Sequence, residues 1–177
     1  SKSCLVLTAG TTAAGAIDNL NIDSNAAWVH IDGAWAGPLR ISQKYGYLLS
    51  GVEKADSISI SGHKWIFQPK DSSILLFKNT AEANESISVS AGYLSSSNIG
   101  IMGSRGAIGL PLLATLMAWG KEGLAERLDT CMALSDRLHS HLLETGVYIF
   151  AKPTSGVILW RPKAPCSADE IFSRLPA

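Results

Sequence analysis

Charge is scarce in this 177-residue chain. Asp, Glu, Lys and Arg make up 17% of it, 15 acidic residues against 15 basic, for a formal net charge of zero. There is no basic stripe and no acidic tail, so nothing points to nucleic acid or to a strongly charged surface partner. Cysteine is equally sparse. Cys4, Cys131 and Cys166 stand far apart. No CxxC pair or Cys/His cluster supports a metal site or a disulfide framework, and an odd, low count fits a reducing compartment. No stretch approaches the roughly 20 apolar residues of a membrane span. The N-terminus lacks the basic segment, apolar run and small-residue cleavage site of a secretory signal. The expectation is a soluble, cytoplasmic chain without metal, membrane or nucleic-acid partners.

What the chain does have is 46% hydrophobic residues. With so little charge, that composition implies either a large buried core or a surface that meets more protein. Short apolar runs end at turn residues. Cys4–Thr8 stops at Gly10, Trp28–Ile31 at Asp32-Gly33, strictly alternating Ser57–Ser61 at Gly62, and Ser73–Phe77 follows. These read as strands. Pro38 is placed to open a helix across residues 38–55, against which the Tyr45-Gly46 step counts. Residues 79–104, rich in Ser, Asn and Gly, read as a loop. Residues 107–145 carry a helical apolar pattern with Pro111 in the first turn. Val147–Phe150 and Gly156–Trp160 read as late strands, and a last helical pattern starts near Asp169. Strand–crossover–strand repetition predicts an α/β fold with a mostly parallel sheet, in which ligands bind beyond the carboxyl ends of the strands.

Three groups of residues fall at those ends. Lys64 directly follows the third run. An amine in a fixed strand-end loop, partly buried beside Trp65, suits Schiff-base chemistry; a surface lysine beside a packing tryptophan is the plainer alternative. Asp32 ends the second run. A carboxylate there suits a pyridinium nitrogen, or equally an Asp turn or helix cap. Gly33, Ala34 and Ala36 permit a flat ring to approach closely, or permit tight packing. Thr8–Gly15 is a small polar turn that resembles a phosphate cradle only loosely. His63 adjoins Lys64, where it serves a phosphate or simply hydrogen-bonds. His30 shares a strand face with Asp32 and reads as its support or as core.

Taken in order, GTTAAGAIDNL, WVHIDGAWAGPLRIS and GVEKADSISISGHKWIFQPKDSSILLFKN resemble the group II pyridoxal-phosphate decarboxylases. These include aromatic-amino-acid, glutamate, histidine and diaminobutyrate decarboxylases. The resemblance runs from about Leu5 to Arg127. The His-x-Asp-x-Ala segment, followed about thirty residues later by His-Lys-Trp, is its most specific part. It implies a fold-type-I, aminotransferase-like large domain binding pyridoxal 5'-phosphate (PLP). Lys64 then matches the Schiff-base lysine and Asp32 the partner of the pyridine nitrogen. Ala34 matches the small residue on the ring face. His63 and Ser61 match positions near the phosphate, and Thr12 one close to the ring. Tyr93, in Ala91-Gly92-Tyr93-Leu94, resembles the tyrosine of a mobile catalytic loop that returns a proton after carbon dioxide leaves. A phenylalanine there accompanies aldehyde formation instead. Arg105 matches a loop-anchoring position.

The same resemblance implies a long N-terminal portion, bearing the ring-stacking histidine and much of the phosphate loop, to which nothing here corresponds. The expected reading is the C-terminal part of a PLP-binding large domain over residues 1–120, then a connecting helix and the start of a small domain over 121–177. The implied function is decarboxylation of an L-amino acid to an amine, by a fragment or one subunit of a split enzyme in a homo- or hetero-oligomer. A non-catalytic scaffold or an aldehyde-forming relative are the alternatives.

Overall fold

The computed structural model describes residues 2–89, 98–99 and 106–175. Its centre is a four-stranded sheet of β1 (Cys4–Thr8), β2 (Trp28–Asp32), β3 (Ser57–Ser61) and β4 (Ser73–Phe77), in that spatial order. β1, β2 and β3 run parallel, and β4 is antiparallel to β3. The sheet is therefore mostly parallel, as expected.

The register gives the two faces opposite characters. Val6 pairs with His30 and His30 with Ser57, while Thr8 pairs with Asp32 and Asp32 with Ser59. Paired residues point to one side and their neighbours to the other. One face therefore carries His30, Asp32 and Ser57, Ser59 and Ser61. The other carries Leu7, Val29, Ile31, Ile58, Ile60 and Ile74, all in or against the hydrophobic core.

Two crossovers shape that core. Residues 18–27 form no helix. The predicted helix over 38–55 is instead three short 3-10 turns, Gly37–Ile41, Gly46–Leu49 and Val52–Lys54. The first turn ends where Ser42 becomes extended, and glycine explains the last interruption. At Gly51 φ is 98°, and a Cβ would lie 2.5 Å from the Asn21 backbone nitrogen, so the chain must turn there without a side chain. The turns still bury Leu39 and Leu49 completely.

The described residues of the 79–104 stretch include a helix and a short strand pair rather than loop alone. α1 (Thr80–Ile87) is capped by Asn79, whose side-chain oxygen accepts from the Glu82 amide at 3.2 Å while its amide group donates back to the Glu82 carboxylate. The side-chain oxygen of Asn79 thus satisfies one free amide of the first turn, as an N-cap does. β5 (Ser88–Val89) then pairs antiparallel with β6 (Asn98–Ile99). Tyr93 and Arg105 lie outside the described residues.

α2 (Leu110–Glu144) is one long helix broken at Gly120, where φ is 62° and ψ −170°. After the break, Leu124, Leu128 and Met132 recur every four residues and are buried, the stripe an amphipathic helix turns to a core. Ser42 donates to Asp129 at 2.5 Å and ties this half to the second crossover. Before the break the helix presents Leu113, Leu116 and Met117 to solvent. β7 (Tyr148–Ile149) pairs with β8 (Trp160–Arg161), and α3 (Ala168–Ser173) follows. The predicted strand over Gly156–Trp160 is thus limited to its end, because Ser155 and Gly156 are engaged elsewhere.

Candidate active site

Asp32 is the last residue of β2 and half-buried. Its carboxylate Oδ1 accepts from the Ala34 amide at 3.0 Å, the local turn that leaves the other oxygen available. The Asp32 carbonyl accepts from the Ala9 amide at 2.8 Å, which locks the end of β1 to the end of β2. Gly33 must be glycine-sized, since a Cβ there would meet Ile58 at 2.9 Å and the Ser59 carbonyl at 3.1 Å. Half-buried Ala34 follows without projecting a bulky side chain over the same strand end.

Lys64 stands three residues beyond the end of β3, half-buried, in a loop held from several sides. The Gly62 amide donates to the Ser72 carbonyl at 2.8 Å, and the Gln68 amide closes the loop on the Gly62 carbonyl at 3.0 Å. The Gln68 side chain, itself buried, reaches Thr115 of α2 at 2.9 Å. Trp65 and Ile66 turn inward and are buried. Phe67 has a φ of 56°, a left-handed conformation that costs a non-glycine residue on the order of 1–3 kcal/mol and is found where a neighbour must be aimed. Phe67 also packs edge-on against Trp119. Ser61 is half-buried at the end of β3, whereas His63 is exposed.

Thr12 is exposed in the turn after β1. That turn is closed by the Thr11 hydroxyl, which accepts from the Ala16 amide at 3.0 Å, and by the Gly15 amide donating to the Thr11 carbonyl at 2.8 Å. Gly10 lies at φ 98°, and a Cβ would strike the Trp35 side chain at 2.7 Å. The turn therefore sits directly against the loop after β2.

Two sets of contacts go beyond what sequence reasoning placed, although His30, a member of the first, was read there as support for Asp32 or as core. The first is a polar chain along the site face. Trp28 donates its indole N–H to the Ser57 hydroxyl at 2.9 Å, Ser57 lies 2.8 Å from His30 Nδ1, and His30 Nε2 lies 3.3 Å from the Ser59 hydroxyl. With Ser57 donating to Nδ1 and Nε2–H donating to Ser59, every member is satisfied. Ser59 is the cross-strand partner of Asp32, so His30 supports the strand end that carries the carboxylate. The strict Ser/Ile alternation of β3 was the available signal. The second group, around Ser155, had no local signal.

The donor set fits PLP. An amine, a carboxylate, hydroxyls and a small residue lie at the carboxyl ends of β1, β2 and β3, adjacent strands spaced about 4.8 Å apart, and the backbone between them has no room for side chains at Gly10 and Gly33. The arrangement is an open face. Larger grooves lie elsewhere, one of about 430 Å³ on the apolar side under Ile58, Ile60 and Leu76, another of about 530 Å³ between Lys44 and α2. No described helix is long and apolar enough to cross a membrane.

The chain is similar to known proteins in sequence and fold. The family model described as the pyridoxal-dependent decarboxylase conserved domain matches residues 3–163. An aromatic-L-amino-acid decarboxylase of Bacillus atrophaeus is 27% identical, over 95% of this chain and 39% of its own length. A 3,4-dihydroxyphenylacetaldehyde synthase of Aedes aegypti is 37% identical over 51% of this chain and 18% of its own. The crystal structure of Oryza sativa TDC with PLP and tryptamine superposes with a TM-score of 0.79 at 25% identity, covering 92% of this chain and 36% of that one. The chain spans well under half the length of these relatives. Its fold is that of the fold-type-I PLP decarboxylases, the cofactor that goes with that fold is pyridoxal 5'-phosphate, and the chain belongs to the pyridoxal-dependent decarboxylase family.

Proposed function

We propose that this chain supplies the lysine-bearing part of a cytoplasmic PLP-dependent decarboxylase that converts an L-amino acid to its amine, acting with a partner that carries the N-terminal half. Residues 1–120 are the C-terminal part of the cofactor-binding large domain, and 121–177 the connecting helix and the start of the small domain. The observation that carries the reading is the register that sets Asp32 beside Ser59, with Lys64 a short, tightly closed loop beyond the same end of β3.

Lys64 would hold the cofactor through its amine, and Asp32 would face the ring nitrogen. Ala34 would lie against the ring, Ser61 and His63 toward the phosphate, and Thr12 beside the ring. When bound, PLP supplies an electron sink for the bond that breaks as carbon dioxide leaves. Asp32 keeps negative charge where a protonated ring nitrogen is stabilised. His30 and Ser59 hold that strand end in place. Tyr93 would hold a proton on its phenol oxygen and deliver it to the carbon that lost the carboxylate, as general acid.

Three features support a partner or a further segment. The polar face leaves Val6 57% exposed and Leu75 52% exposed, and the first half of α2 leaves Met117 78% exposed. The outer edges of β1 and β4 pair with no other described strand. Apolar patches and open edges of this kind are covered in stable proteins.

The test is to mix the protein, alone and with any co-purifying chain, with PLP, reduce with borohydride, and map the label by peptide mass spectrometry. Label at Lys64 that disappears in Lys64→Ala is the expected result. A folded protein unlabelled at Lys64 under both conditions overturns the reading in favour of a non-catalytic scaffold. The aldehyde synthase among the relatives supports a second outcome for the same site, and product analysis for amine against aldehyde separates the two.

A further inference from the structure

Ser155 lies 120 residues beyond Trp35 and 140 beyond Gly15 in the chain, past the end of α2, yet it is completely buried. Its carbonyl accepts the Trp35 indole N–H at 2.7 Å, and its hydroxyl donates to the Gly15 carbonyl at 2.6 Å. The next residue, Gly156, has a φ of 82°, and a Cβ there would lie 2.8 Å from the Trp65 ring. Trp35 and Trp65 meet edge to face, with ring centroids 5.2 Å apart. Gly15 is equally confined, because a Cβ on it would meet the Ser155 hydroxyl at 2.6 Å and Val157 at 2.8 Å.

Each contact falls beside a proposed cofactor residue. Gly15 closes the turn that carries Thr12, Trp35 follows Ala34, and Trp65 follows Lys64. We propose that Ser155 and Gly156 are positioning residues, a pin that sets the three cofactor-bearing loops relative to one another from behind the site. The inference rests on the cofactor reading above for its purpose, although the pin itself does not need the cofactor to be measured. Two physical reasons favour it. A completely buried hydroxyl that bonds a backbone carbonyl fixes distance and direction together, and its loss leaves that carbonyl unsatisfied. A left-handed glycine pressed on an indole face has no alternative side chain that keeps the contact. Movement of the segment after α2 therefore reaches all three loops.

Amide hydrogen exchange on the full chain, without PLP, reads the pin directly. Ser155→Ala is expected to speed exchange in residues 10–17 and 62–68 together, by about tenfold, while Leu124–Met132 of α2 keeps its wild-type rate. Trp35→Phe, which removes the indole N–H and keeps an aromatic ring, gives the same pattern more weakly and serves if Ser155→Ala folds poorly. Gly156→Ala loosens 62–68 more than 10–17, because its added carbon meets Trp65. Wild-type rates in both loops, or acceleration spread in equal proportion through α2, overturn the proposal. On the PLP-loaded protein, Ser155→Ala is expected to keep the Lys64 label but lose most of the induced circular dichroism of the bound cofactor; an unchanged spectrum counts against the pin. An unlabelled wild-type protein would overturn the cofactor reading instead, and the exchange result would still decide the pin.

Discussion

The two faces of the central sheet are made from the same four strands and do different things. On one side Ile31, 1% exposed, shares its face with Leu7, Val29, Ile58, Ile60 and Ile74, which pack with the short crossover turns and the second half of α2 into one core. On the other side His30, Ser57 and Ser59 form a hydrogen-bonded polar chain beside Asp32, with exposed Val6 on the same face. The first face holds the fold together through removal of apolar area from water. The second contributes little to that and keeps groups available at the strand ends. Stability and chemistry are thus assigned to alternate residues of each strand, and substitutions one position apart should have unlike consequences.

The largest effect is expected at Ile31→Ala, which opens a cavity in the packed face and should cost about 2–5 kcal/mol in urea unfolding; a loss below about 1 kcal/mol would mean that this face is not the core. One residue on, Asp32→Ala should leave unfolding nearly unchanged and weaken PLP binding by about tenfold to a hundredfold, the scale of a hydrogen bond to a charged group. Titration by absorbance checks it, and equal affinity in the two proteins would remove Asp32 from the site. Val6→Thr, on the open face, should shift the stability of the chain alone by no more than about 0.5 kcal/mol. A clearly larger cost in the complete assembly than in the chain alone would show that a partner covers this face.

The smallest effect belongs to neither face. Lys54 lies 2.8 Å from Asp23, and the lysine's hydrogen bond and charge hold the Asp23 carboxyl below its usual value. A depressed carboxylate pKa stabilises the fold above the unfolded-state value and loses that contribution as pH falls through the folded-state value. Both groups are exposed, so screening removes most of the benefit. In Lys54→Met the Asp23 carboxyl should titrate at higher pH by NMR, with no measurable change in melting temperature at neutral pH. A melting-temperature drop that high salt abolishes would show that the pair matters more than its exposure implies.

Much of this could be read from residue order. The strands at Cys4, Trp28, Ser57 and Ser73 are short apolar or alternating runs stopped by turn residues, and local pattern carries that information. Gly10–Thr12, Asp32 and Lys64 fall at strand ends in a parallel sheet, and the resemblance to a known family is what assigns cofactor roles to them and to Ala34, Ser61 and His63. Other parts were less legible. The expected helix after Pro38 is broken into short turns, the last of them set off where Gly51 must pass the Asn21 backbone, a contact between distant segments. α1 was hidden by the polar composition of residues 79–104, although Asn79 and Glu82 carried a readable cap.

The sequence by itself determined the strand periodicity, the alternation of serine and isoleucine that makes two unlike faces, and the placement of Asp32 and Lys64 just where strands stop. These depend on neighbours a few residues apart. Only the tertiary structure decided that Ser59 lies across from Asp32, that His30 bonds two serines of the next strand, and that Ser155 reaches back to Gly15 and Trp35. Those relations depend on register and on packing after a 35-residue helix, and no local pattern encodes where such a helix delivers the chain.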